Sequence, residues 1–235
     1  MQKNIIRLIH CKKIIVFMKK KIYNVKKIPD KNFKIEGNTI TTQLSTLNTV
    51  SNFVSPWDNN PIQPIIFKAC YDNSFFYFSF QVNDNDVYTQ LADDTRESIN
   101  QSDRVELFFR INDSLTPYYC LEIDSKARIM DFKALPNRKF DFNWSWDKSE
   151  IEVKSYHALD RFIVEGKLSI KSLKDLNILK KDNFGAYMEV GLYRAKYMLN
   201  KQKVREPIWI TWVDPNFPTP EFHTPNSFGL FRFLD

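Results

Sequence analysis

The chain has 235 residues, 43% of them hydrophobic and 26% charged, which excludes a wholly disordered chain, a collagen and a polytopic membrane protein. Only five glycines occur, and neither GxGxxG nor GxxxxGKS/T is present, which argues against Rossmann and P-loop nucleotide enzymes. The net charge of +6 resides at the N-terminus: residues 1–27 hold nine Lys or Arg and no acid, whereas the remainder carries 25 basic and 28 acidic residues. A basic footprint spread over a folded body is therefore missing, and no nucleic-acid partner is expected.

In chain order, residues 1–27 read as a basic tail and 28–235 as one domain. The apolar run Ile14-Ile15-Val16-Phe17 is shorter than a secretory h-region, and no small-residue cleavage site follows it. Met18 is a candidate true start. No segment reaches the ~18 apolar residues of a membrane span. From residue 62 onward the pattern is that of strands. Ile65–Tyr71 ends at the turn signal Asp72-Asn73. Phe75–Val82 alternates, with Phe76, Phe78, Phe80 and Val82 on one face. Residues 83–103 form a polar loop, where binding residues often sit. Arg104–Ile111 turns Val105, Leu107 and Phe109 inward and Arg104, Glu106, Phe108 and Arg110 outward. Tyr118–Asp124 divides in the same way, with Tyr119, Leu121 and Ile123 opposite Tyr118, Cys120, Glu122 and Asp124. Ile129–Ala134, Ile151–Tyr156, Phe162–Ile170, Tyr187–Leu199, Ile208–Val213 and Phe228–Leu234 continue the pattern. One short helix is expected at Ser172–Leu179, with Ser172 and Asp175 as a capping box. The fold class is all-β: an antiparallel two-sheet β-sandwich of jelly-roll or immunoglobulin-like type.

Cys11, Cys70 and Cys120 form no CxxC pair, and His10, His157 and His223 do not stand at zinc spacing. The cysteines read as small apolar side chains. No cofactor is certain. Asp84, Asp86, Asp93 and Asp94 could supply oxygen ligands to calcium, or simply solvate the loop.

Five segments in order carry a resemblance to a known family. They are the strand pair from Tyr71 to Asp84, Ser102-Asp-Arg-Val-Glu-Leu-Phe-Phe109, Gly166 to Leu173, Trp212 to Pro215, and Pro225 to Gly229. The chain from about residue 34 to 235 resembles a carbohydrate-binding module of family 9, within the DOMON-like β-sandwich group. The resemblance implies two antiparallel sheets and noncatalytic binding of sugar ends between two Trp rings, in modules attached to xylanases. It places a carboxylate for sugar hydroxyls at Glu106, whereas its two Trp positions fall near Asn100 and Phe222, of which Phe222 can still stack on a sugar face and Asn100 cannot. It also implies export, whereas the N-terminus shows no recognisable signal peptide, so the compartment stays open between export and a cytoplasmic default.

A pyranose offers an apolar C–H face and a rim of hydroxyls, so its site needs aromatic rings beside a few placed polar groups. The expected ligand-binding residues are Trp144, Trp146, Arg104, Glu106, Tyr118, Glu122, Phe222 and His223, with a mono- or oligosaccharide as partner. Trp144 and Trp146 could equally anchor their loop, and Arg104 with Glu106 could be an ion pair on a solvated face. Trp209 and Trp212, on an alternating strand, read as core. Two other readings use the same frame: a glycoside-active enzyme with Glu106 and Glu122 as acid and base, and a DOMON-type haem or redox module.

Overall fold

Val, Ile, Phe and Tyr at alternating positions fit a pleated, half-buried surface, and strands dominate the chain. The computed structural model describes residues 20–29 and 33–234. In chain order the elements are β1 (Ile22–Lys27), α1 (Thr39–Gln43), β2 (Ile65–Tyr71), β3 (Phe75–Asn83), α2 (Arg96–Asn100), β4 (Arg104–Arg110), β5 (Tyr118–Asp124), β6 (Ile129–Leu135) and β7 (Lys139–Asp141). There follow β8 (Ile151–His157), β9 (Arg161–Ser169), α3 (Ile170–Asp175), β10 (Lys180–Asp182), β11 (Gly185–Leu199), β12 (Arg205–Thr211) and β13 (Gly229–Leu234).

Backbone pairing runs β7-β6-β5-β4-β11-β13-β1-β2-β3-β9-β8, with β10 and β12 both paired to β11. The path curls into two layers. Phe76, Phe78 and Phe80 of β3 and Val164 and Leu168 of β9 pack with Val105, Leu107 and Phe109 of β4 and Leu121 and Ile123 of β5 in one core. Every pairing is antiparallel except those of β1, which lies parallel to β13 over most of its length and parallel to β2 at its end. β1 thus stitches the two layers together, with Tyr23 and Val25 fully inside. The boundary expected at residue 28 consequently moves: residues 22–27 belong to the folded body, although their lysines read as tail. Met18 and Cys11 lie outside the described residues. No helix among the described residues is long and apolar enough to cross a membrane.

The expected helix is shifted. Ser169, not Ser172, is its N-cap: the Ser169 hydroxyl accepts from the Ser172 amide, and the helix ends at Asp175. Asn177, at φ 57°, takes the left-handed conformation that stops a helix. Two further short helices, α1 and α2, lack a hydrophobic periodicity long enough to read. The amides of Thr39, Ile40 and Thr41 at the start of α1 all donate to the buried Glu165 carboxylate, so α1 is fixed by a residue 126 positions away.

The odd residues of β4 and β5 fill the core, as alternation predicts. Their even residues are buried too, and Phe108, Tyr118 and Cys120 pack with Tyr193, Phe222 and Phe228 in a second apolar cluster. The closing Gly229 sits against the Trp212 ring, where a Cβ would fall 2.4 Å from a ring carbon. The segment from Trp212 to Gly229 is thereby laid over the outer face of β4.

Candidate functional site

The antiparallel register of β4 and β5 sets Glu106 directly opposite Glu122, and period two puts Arg104 on the same face. Arg104 Nε donates to Glu122 at 2.6 Å and stands 2.9 Å from Glu106 Oε1. Its Nη1 donates to the carbonyl of Asn100, at 2.6 Å, which also accepts from the Tyr197 hydroxyl. All three charged side chains are at most 5% exposed. They are therefore not a pair on a solvated face. Two carboxylates share one guanidinium, and Glu106 Oε1 has no hydrogen-bond partner. Burial and the neighbouring Glu122 charge push Glu106 up to about 8, against the pull of Arg104. Burial raises Glu122 as well, with Arg104 opposing. Burial thus biases both carboxyls toward the protonated form, and the single Arg104 guanidinium opposes it in each.

Above this floor lies a cavity of about 430 Å³, within the range of ~300–1,000 Å³ common for small-molecule sites. Trp209 of β12 and Phe222 form one wall, with ring centroids 5.6 Å apart. Phe132, Phe140 and Phe142 from the β6–β7 hairpin form another, with Phe132 4.9 Å from each of its partners. Arg104 lies 5.5 Å beneath the Trp209 ring, and Arg96 stacks at 4.1 Å on Phe142.

His223 lines the cavity beside Phe140 and Phe108. Its Nδ1 lies 2.8 Å from the Tyr118 hydroxyl. Tyr118 is fully buried, and its hydroxyl hydrogen has no other acceptor among the described residues. Tyr118 therefore donates to Nδ1 and leaves the imidazole proton on Nε2. Burial, with the Arg138 charge adding to it, lowers His223 to about 3, so the ring is neutral. Tyr118 itself does not line the cavity; it acts through His223.

Of the expected ligand residues, Arg104, Glu106, Glu122, Phe222 and His223 come together, with Asn100 at the edge. Phe222 is 5% exposed and has one face stacked on Tyr193 at 4.3 Å, so it closes the wall more than it offers a platform. Trp144 and Trp146 do not join them. Trp146 is 3% exposed and packs on Phe109 and Tyr119 in the main core, and Trp144 leans on Tyr119 at 4.8 Å. The aromatic loop 140–146 divides between two places: its phenylalanines reach the cavity, and its tryptophans cap the core. Trp209 is the correction in the other direction. Ile210 and Trp212 face the core, so alternation itself sends Trp209 to the outer face. Met130, Arg96 and Arg138 were also missed, and nothing in their local pattern marks them.

The four loop aspartates do not converge. Asp84 is buried against Arg194 and Lys196, and Asp86 lies 3.7 Å from Arg205. Asp93 accepts from Thr95 and Ser98 at the start of α2, and Asp94 pairs with Arg128 at 3.3 Å. Among the described residues no three His, Cys, Asp or Glu side chains are grouped to hold a metal ion. Cys70 and Cys120 are buried and unpaired, as small core residues.

Residues 43–234 match the family model described as carbohydrate family 9 binding domain-like. A candidate carbohydrate-binding protein from Bacteroides uniformis superposes with a TM-score of 0.68 at 16% identity, over 92% of this chain and 100% of that one. Two structures of a family 9 carbohydrate-binding module from Caldicellulosiruptor kristjanssonii are also similar. The cellotriose complex gives a TM-score of 0.60 at 16% identity, over 91% of this chain and 93% of that one. The glucose complex gives 0.59 at 15%, over 91% and 96%. At these identities the likeness is one of fold. No curated protein sequence matches the chain.

Proposed function

The chain belongs to the carbohydrate family 9 binding domain-like family, and on that premise we propose that the cavity over Arg104, Glu106 and Glu122 binds a neutral sugar without transforming it. One observation carries the reading. A cavity of sugar-accommodating size has aromatic walls and a floor of hydrogen-bonding groups in which two carboxyls share one guanidinium. The Trp209 ring meets the C–H face of a pyranose. Glu122 and the Glu106 carboxyl meet hydroxyls at the rim, and His223 Nε2 donates to an oxygen. Both carboxyls belong to the floor, on adjacent strands and tied to one arginine. A glycosidase instead sets its two carboxyls on either flank of the scissile bond. That contrast favours binding over hydrolysis.

The ligands carried by the two Caldicellulosiruptor modules, glucose and cellotriose, are the first probes. Calorimetry is expected to show saturable binding of a neutral sugar, with the probe recovered unchanged by chromatography. Trp209→Ala is expected to weaken that binding at least about tenfold, as loss of one stacking ring would. Binding that survives Trp209→Ala intact, or release of reducing ends, would overturn the reading.

A further inference from the structure

The basic N-terminal segment that stands out in the sequence takes no part in the sugar cavity. Its described residues, together with lysines from residues 174–181, line two adjoining hollows elsewhere on the molecule. The first, of about 540 Å³, is lined by Lys20, Arg110 and Lys180 together with Glu189, Asp113 and Asp182. The second, of about 400 Å³, has Lys27, Lys174 and Lys181 at its edge and shares Lys180 with the first. Neither shares a lining residue with the cavity over Arg104.

The first hollow balances its three cations against three carboxylates, and the cationic excess lies in the second, where Lys27, Lys174, Lys180 and Lys181 stand against Asp72 alone. Three cations converge on the one buried carboxylate of Glu189: Arg110 at 2.6 Å, Lys180 at 3.1 Å, and Lys20. Burial alone would raise Glu189, yet hydrogen bonds and charge from Arg110 and Lys20 hold it at about 2. Arg110 is 5% exposed, and its Nε has no hydrogen-bond partner. The other carboxylates are mostly committed. Asp182 is held by both terminal nitrogens of Arg232, at 2.6 and 3.0 Å. Asp72 accepts from the amides of Ser74 and Phe75 and from the Tyr77 hydroxyl. Asp113 pairs with Arg110 but is 88% exposed at its side chain. Lys27, Lys174 and Lys181 have no ion-pair partner among the described residues. The floor of the second hollow, by contrast, is apolar, built from Tyr71, Leu179 and Phe233.

We propose that the second hollow forms a second binding site, for an acidic oligosaccharide whose sugar rings carry carboxylates. Separate lysines spread around this hollow suit charges spaced along a chain, because an ammonium is a point charge on a flexible stem. A single phosphate would need donors converging on one spot. The apolar floor suits the C–H face of a ring, and Lys27 already stands 6.0 Å over the Tyr71 ring.

The test titrates the full chain with a short oligogalacturonate and, in parallel, with its fully methyl-esterified, uncharged counterpart. The acidic chain is expected to bind saturably at one equivalent, and at least about tenfold more tightly than the ester. Raising NaCl from about 50 to about 300 mM should remove most of that advantage. The double substitution Lys174→Ala with Lys181→Ala changes two exposed side chains, and an unshifted thermal midpoint would report an intact fold. It is expected to weaken the acidic ligand at least about fivefold. The proposal is overturned if the oligogalacturonate does not bind, if the double variant binds it as well as the parent, or if single-stranded DNA of equal charge binds as tightly. These outcomes are independent of whether neutral sugars bind over Arg104.

Discussion

The two faces of the β4–β5 pair are both buried, yet they are held by different physics. The inner face is Val105, Leu107, Phe109, Leu121 and Ile123, packed against the opposite layer. The outer face carries Arg104, Glu106 and Glu122 beside Phe108 and Cys120, under a lid made by α2, the β6–β7 hairpin and the segment up to Gly229. Dispersion and apolar burial suffice for the first. The second holds three ionisable groups out of water, and its stability depends on their compensating one another. A face that is buried and polar, with a cavity left above it, is poised for a ligand in a way that a filled core is not.

The largest effects should come from breaking each face at its centre. Leu107→Ala on the inner face is expected to cost about 2–5 kcal/mol in denaturant unfolding. Arg104→Met leaves two buried carboxyls without their cation, and a loss of about 3–5 kcal/mol is expected from the same measurement. If Arg104→Met instead unfolds like the parent, the outer face is solvated and the contrast collapses. The two tryptophans sharpen the same comparison. Trp146→Ala should cost about 3–5 kcal/mol of stability, whereas Trp209→Ala should move sugar affinity with little change in midpoint.

A pH series isolates the outer face further. Glu106 binds its proton more tightly folded than unfolded, since burial and Glu122 raise it to about 8 from the ordinary 4.5. Its contribution is therefore fully present below about pH 4.5 and is lost as pH rises through about 8. Glu106→Gln is expected to flatten that fall in urea midpoints measured between pH 5 and 9. A slope that persists unchanged in the variant assigns it to another group. The smallest effect is expected at Tyr118→Phe, which removes one buried hydrogen bond worth about 1 kcal/mol. It should also free the His223 tautomer, visible in imidazole nitrogen shifts, while Trp209 and the carboxyls stay in place.

Legibility in the sequence followed the same division. Strands such as Ile65–Tyr71 and Tyr118–Asp124 were readable to the residue, the first as an apolar run closed by a turn signal and the second by its alternation. β1 was not, since the lysines around Tyr23 and Val25 mask a two-residue apolar signal, and its pairing with β13 joins the two ends of the described chain. Ser172 looked like a cap because serine three before an acid is a local pattern. Ser169 won because its hydroxyl is the one placed against a free amide. Glu106 and Glu122 could be chosen from their shared strand face, while Trp144 and Trp146 were chosen for being aromatic in a loop, and loop aromatics turn inward as readily as outward.

The sequence by itself determined the two-layer β architecture, the family, and which residues of β4 and β5 share a face, because those properties follow from periodicity and ordered motifs along the chain. Tertiary structure alone decided that this face is buried, that Trp209 and the hairpin phenylalanines wall the cavity, and that residues from both ends of the described chain line one hollow. Those are facts of what lies across from what, and segments up to about 210 residues apart meet there through packing, for which no local pattern is required.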